Sequence, residues 1–171
     1  MRIELVDEFT GDLGRQIVAL TGAIRHPNWQ FAFPSNLVLG WLPDFSAPDL
    51  GVGNLVAAVD ANPVAPQKIV MLSPAGTADD ADLDQLISWY GANAPTLLGD
   101  ALYAVKMVDE LELPYTGIRT LPVVRQGGGQ KLSPEGEPMQ GQATNQAALA
   151  HLFGTALQTA QYQNQSIGLG E

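Results

Sequence analysis

Apolar residues along this chain follow two patterns, short solid runs that suit buried strands and three-to-four spacings that suit amphipathic helices. Ile3 to Val6 is such a run, followed by the turn Thr10-Gly11-Asp12-Leu13-Gly14 and then by Arg15 to Ile24, where Ile17, Val18, Leu20 and Ile24 share a helix face. The order predicted is strand, turn, helix. Trp29 to Phe33 reads as a second strand stopped by Pro34, and Leu37 to Leu42 as a third before a loop from Pro43 to Gly53. Those two runs conflict. Parallel neighbours need a crossover of about a dozen residues or more, yet only Pro34, Ser35 and Asn36 separate them, so one run has another role.

Asn54 to Asp60 is helical by pattern, and Lys68-Ile69-Val70-Met71-Leu72 is the clearest buried strand, closed by Ser73-Pro74-Ala75-Gly76. Asp79, Asp80, Asp82 and Asp84 open a helix running to Trp89 and Tyr90, where acids complement the helix dipole, and a further helix spans Thr96 to Leu111. Tyr115 to Thr120 is a strand, Gln126 to Gln130 a Gly-rich turn, Ser133 to Gly141 a polar loop, Asn145 to Tyr162 a long helix and Ser166 to Leu169 a terminal strand. Strand and helix alternate, which predicts an α/β fold: a mostly parallel sheet covered by helices on both faces.

With 171 residues, 46% of them hydrophobic and 15% charged, the chain can bury a core, and residues 1–171 read as one domain. Eight basic against eighteen acidic side chains give a net charge of −10, which opposes nucleic acid and anionic membranes alike. The absence of cysteine removes disulfides, thiolate metal sites and a cysteine nucleophile. His26 and His151 lack companion ligands, so no metal site is expected and solvated or capping histidines are. No apolar run reaches the roughly 20 residues of a membrane span, and the acidic start is unlike a signal peptide. The expectation is a cytoplasmic protein.

The first turn carries the candidate chemistry. A strand that turns through glycine into a helix points unpaired N–H groups and a positive dipole end at a phosphate. In Glu8-Phe9-Thr10-Gly11-Asp12-Leu13-Gly14, Gly11 and Gly14 hold the second and third glycine positions of a dinucleotide-binding turn, while Glu8 holds the first. Either a working phosphate turn or a purely structural turn accounts for these glycines.

Longer stretches resemble the NmrA-like, atypical short-chain dehydrogenase/reductase proteins. Lys68 to Gly76 is similar to their strand followed by Ser-x-x-Gly, and Leu113-Pro114-Tyr115-Thr116-Gly117-Ile118-Arg119 to their Leu-x-Tyr-Thr-x-x-Arg strand. Glu135-Gly136-Glu137-Pro138, with the helix after Ala143, resembles their C-terminal segment. The resemblance implies a three-layer Rossmann-like fold, here lacking about one βα unit of ~30 residues between the second strand and Asn54. It implies a dinucleotide, NAD or NADP with NADP slightly preferred, held by Thr10, Gly11, Asp12, Leu13 and Gly14, with Ser73 and Pro74 lining the cleft. Ser35, after the expected second strand, joins these candidate cofactor contacts. A missing unit exposes a sheet edge, which makes a homo-oligomer an expectation.

Short-chain dehydrogenases use a Tyr and a Lys four apart on a helix. Ungapped alignment on Leu113 to Thr116 places that pair near Leu97 and Ala101, so the pair is expected to be absent. Tyr103 and Lys106, three apart, and Ser73 are the remaining catalytic candidates, each with a structural role as the plainer reading. Three functions follow: a dinucleotide sensor with little turnover, an NADPH-dependent reductase of small carbonyls or quinones protonated by Tyr103, Tyr115 or water, or an interaction domain without cofactor.

Overall fold

The computed structural model describes residues 1–171. Its strands are β1 (Arg2–Asp7), β2 (Ile24–His26), β3 (Leu37–Leu42), β4 (Lys68–Pro74), β5 (Tyr115–Thr120), β6 (Val123–Val124), β7 (Lys131–Pro134), β8 (Thr144–Asn145) and β9 (Gln165–Gly170). Its helices are α1 (Leu13–Thr21), α2 (Pro48–Ala61), α3 (Leu83–Tyr90), α4 (Ala94–Glu110) and α5 (Gln146–Gln158). The main sheet runs β2-β1-β3-β4-β5-β9-β7, parallel except for β7 against β9, while β6 and β8 form a small parallel pair. Alternate strand residues bury on opposite faces. Val38, Leu42, Val70 and Leu72 pack with α1 and α5, and Leu39, Trp41, Ile69 and Met71 with α2 and α4. The result is the three-layer, Rossmann-like α/β fold expected from the sequence.

The second strand is not where the pattern placed it. β2 is Ile24-Arg25-His26, so Ile24 leaves the predicted face of the first helix and is exposed on an edge strand. Trp29 to Phe33 forms no ladder. Its alternating aromatics imitate a strand because they point inward: Trp29 packs edge-on to Trp41, Phe31 stacks on His26 with ring centroids 3.8 Å apart, and Phe33 is buried. Residues 27–36 thus carry the chain from β2 to β3, on the far side of β1, as an irregular crossover. This resolves the conflict between the two runs and locates the missing helix and strand between β2 and β3.

α2 starts at Pro48, inside the predicted loop, because proline suits a first helical turn and Gly51 lets the helix lie against Trp41, whose ring a Cβ there would meet at 2.9 Å. The polar loop from Ser133 begins within β7, an edge strand without an apolar pattern. Asp82 caps α3 in a capping box with Gln85, as acids at a helix start suggest, but Asp80 does not. It is buried and bonded to Arg119. Trp89 donates to the Gly141 carbonyl at 2.8 Å, fixing α3 to the segment after β7. No helix is long and apolar enough to cross a membrane.

Candidate functional site

The strand order reverses between β1 and β3, and in open parallel sheets ligands bind at such a switch point, outside the carboxyl ends of the strands. Three segments meet there: the turn 8–14 after β1, residues 43–47 after β3, and residues 75–77 after β4. Thr10, Gly11, Asp12, Leu13 and Gly14 lie together in the first, and Ser73 and Pro74 end β4 on the same edge. Ser35 lies before β3, at the opposite end of the sheet, since Arg2 at the start of β1 donates to the carbonyl of its neighbour Asn36. Its assignment depended on the displaced second strand and is corrected here. Asn28 and Gln30 follow the true β2 instead.

The turn is open. From Thr10 to Arg15 no backbone N–H has an acceptor within the chain; the first helical bond is Gln16 N–H to the Asp12 carbonyl at 3.1 Å. Asp12 occupies the cap position without capping, its carboxylate drawn to Arg125 and, at 3.9 Å, to Arg15. Gly11 adopts φ +110°, a conformation open to glycine, and a side chain there would meet only open space. Gly14 serves close packing, because a Cβ would fall 2.0 Å from Asp7 Oδ2. Asp7 accepts from Phe9 N–H at 3.1 Å and from Arg25 Nε at 2.7 Å, which ties β2 to the base of the turn.

The two departures at the front of the turn leave it clear. Glu8 Oε1 accepts from Trp41 Nε1 at 2.7 Å, directing the carboxylate toward α2. Phe9 turns toward Phe45, ring centroids 5.3 Å apart, and packs on the core. Neither side chain is drawn over the free N–H groups.

Two clefts lie near this end of the sheet, one of them bordered by Glu8 of the turn. One, of about 310 Å³, lies between Glu8, residues 28–30 and Asn54, Ala57 and Ala58 of α2. The other, of about 450 Å³, lies between Phe45, Ser46, Tyr90 and the first turns of α4, with Leu97 and Asp100 in its wall. A larger hollow, about 630 Å³ beside Asp109 and Tyr115, opens at the other end of the sheet and is remote from these groups.

The catalytic candidates are dispersed. Tyr103 is half exposed on α4 and Lys106 pairs with Glu110 at 3.8 Å in solvent, whereas Leu97 and Ala101, the positions implied for a Tyr–Lys pair, face the second cleft and the core. Ser73 is buried, its Oγ 2.9 Å from Thr77 Oγ1, and closes the turn after β4. Tyr115 begins β5 at the remote end of the sheet. Tyr90, which the sequence reading passed over, lines the second cleft, but its hydroxyl donates to the Thr120 carbonyl at 2.7 Å and accepts from Ala75 N–H at 3.0 Å. Burial holds its pKa above the ordinary tyrosine value, so the phenol stays protonated. His26 Nε2 lies 2.5 Å from Glu4 Oε2, His151 is exposed on α5, and no group of His and acidic side chains is gathered to hold a metal ion.

No protein-family model matches the sequence, and no curated protein matches it. Solved structures do. A short-chain dehydrogenase/reductase from Veillonella parvula, in complex with NADP, superposes with a TM-score of 0.62 at 20% identity over 94% of this chain and 68% of that one. A Bacillus halodurans protein described as an NAD-dependent epimerase/dehydratase gives 0.69 at 12% identity, covering 100% of this chain and 94% of its own. A Rossmann-fold NAD(P)-binding family protein from Shigella flexneri gives 0.61 at 13%, with the same coverage. At these identities the likeness is one of architecture: the chain has the Rossmann-like α/β fold of these proteins.

Proposed function

We propose that the chain is a dinucleotide-binding module of the NmrA-like type, a sensor of NAD(P) with little or no turnover. The observation that carries this reading is the row of N–H groups from Thr10 to Arg15 without acceptors in the chain, at the switch point of the sheet. These groups would take the pyrophosphate, and the two clefts the nucleoside ends. A bound nicotinamide supplies hydride chemistry. The second cleft brings together no Tyr–Lys pair: its polar lining is Ser46, Asn93, Thr96 and Asp100, Leu97 is apolar, the Tyr90 hydroxyl is committed to two backbone partners, and Tyr103 and Tyr115 are elsewhere. This favours sensing over reduction.

Isothermal titration with NADPH, NADP, NADH and NAD tests the reading. Micromolar binding is expected, with no oxidation of NADPH by small carbonyls or quinones. Turnover would favour a reductase, and absence of heat and thermal shift at millimolar cofactor would leave an interaction domain.

A further inference from the structure

The cleft on the β2 side of the turn has a composition that the glycine pattern does not anticipate. Glu8 stands at one wall, and Asn28, Gln30 and Asn54 bring carboxamides to its rim beside the Trp29 ring. Carboxamides and a carboxylate recognise hydroxyl and amino groups, and a carboxylate repels phosphate. Glu8 is held in place by the Trp41 indole through Oε1, and no cation pairs with it. Arg25, the cation that β2 carries, donates through Nε to buried Asp7, on the opposite side of the strand from His26, which meets Phe31.

We infer that Glu8 is a specificity residue for a nucleoside with an unphosphorylated ribose, so that the protein selects NAD over NADP. The inference rests on the dinucleotide reading. With the pyrophosphate over the turn, the adenosine end falls on the β2 side, within the cleft that Glu8 borders. A 2′,3′-diol finds an acceptor there, and a 2′-phosphate meets an uncompensated carboxylate. The shortened crossover brings this about: residues 28–30 border the cleft in place of a helix, and the acid that meets the ribose comes from the turn after the first strand.

Titration of the intact protein with 5′-AMP, 2′,5′-ADP, NAD and NADP at fixed ionic strength tests this, on the wild type, Glu8→Gln and Asn54→Ala. Glu8→Gln keeps an oxygen for Trp41, and Asn54 is exposed on α2, so both variants retain the fold by melting. NAD and 5′-AMP are expected to bind at least about tenfold more tightly than their 2′-phosphorylated counterparts, with Glu8→Gln closing that gap by on the order of tenfold and Asn54→Ala weakening 5′-AMP several-fold. Equal binding, an NADP preference, a gap unchanged in Glu8→Gln or 5′-AMP indifferent to Asn54→Ala would overturn the role of Glu8 while leaving dinucleotide binding standing. If 5′-AMP binds with the expected discrimination and NAD binds no better, the role of Glu8 stands and the dinucleotide reading falls. No binding by any of the four overturns both.

Discussion

Arg119 on β5 and Asp80 after β4 form an ion pair from which solvent is wholly excluded. Every side of it is bonded: Arg119 also donates to Ser166 Oγ at 2.9 Å and the Ser133 carbonyl at 2.9 Å, and Asp80 Oδ1 accepts from Gly76 N–H at 2.8 Å and Ala78 N–H at 3.3 Å. The pair thereby joins the turn after β4 to β5, β7 and β9. Removing one partner strands a buried charge. Asp80→Ala should cost about 3–5 kcal/mol in denaturant unfolding, and adding Arg119→Met to it should recover part of that loss.

Gly14→Ala tests the close packing at the turn. With Asp7 Oδ2 lying 2.0 Å from the position of the new Cβ, either α1 or the Asp7–Arg25 pair must shift. We expect a loss of about 1–3 kcal/mol, measured by thermal or urea unfolding.

Arg125→Ala should separate binding from stability. The Arg125–Asp12 pair is exposed, 71% and 37% at its side chains, so its loss should change unfolding free energy by less than about 1 kcal/mol. Asp12 would then keep only the longer contact to Arg15, at 3.9 Å, beside the free N–H groups. Dinucleotide affinity is expected to fall several-fold, with a weaker salt dependence in titration.

Tyr90 sets a signature at high pH. Its pKa is raised by burial above the ordinary 10, so the unfolded chain loses the phenol proton before the folded one does. Its contribution is full below pH 10 and is lost as pH rises toward the folded value, at no more than about 1.4 kcal/mol per pH unit. Lys68 has the opposite sign: burial lowers its pKa from 10.5, so stability rises with pH between the lowered value and 10.5. Lys68 is common to both proteins, so the difference between wild type and Tyr90→Phe isolates Tyr90. Unfolding at pH 8 to 11 should show the variant less stable by about 0.5–1.5 kcal/mol at pH 8, through the lost hydroxyl bonds to Ala75 N–H and the Thr120 carbonyl, which stay bonded to each other at 2.8 Å, with that deficit shrinking above pH 10.

Local pattern was enough for β4, whose solid apolar run admits few alternatives, and for α3 and α4, whose starts are marked by Asp82 and by Pro95, while β5, with only Tyr115 and Ile118 as large apolar residues, leaned on the resemblance of residues 113–119. β2 was hidden because a three-residue edge strand with two exposed residues needs no apolar pattern, while the aromatics of 29–33 supplied a false one. The glycine turn was legible, since its chemistry is contiguous. Its surroundings were not: Glu8 meets Trp41, Asp12 meets Arg125 and Asp7 meets Arg25 across separations of 33, 113 and 18 residues, and the clefts join residues 28–30 to 54–58 and 45–46 to 90–100. Nothing in a local window announces such pairings.

The irregular crossover also sets where the molecule opens. Residues 24–36 hold to the rest of the fold through a three-residue edge ladder, the Arg25–Asp7 and His26–Glu4 contacts, a few further hydrogen bonds and a set of aromatic contacts, without a helix of their own. Such a segment forms a cooperative unit that detaches while β1 and β3 stay paired. Its amide hydrogens will exchange ahead of those in β3 and β4, and a ligand gripping Asn28 and Gln30 will slow that exchange, so occupancy of the crevice is converted into rigidity along one border of the sheet.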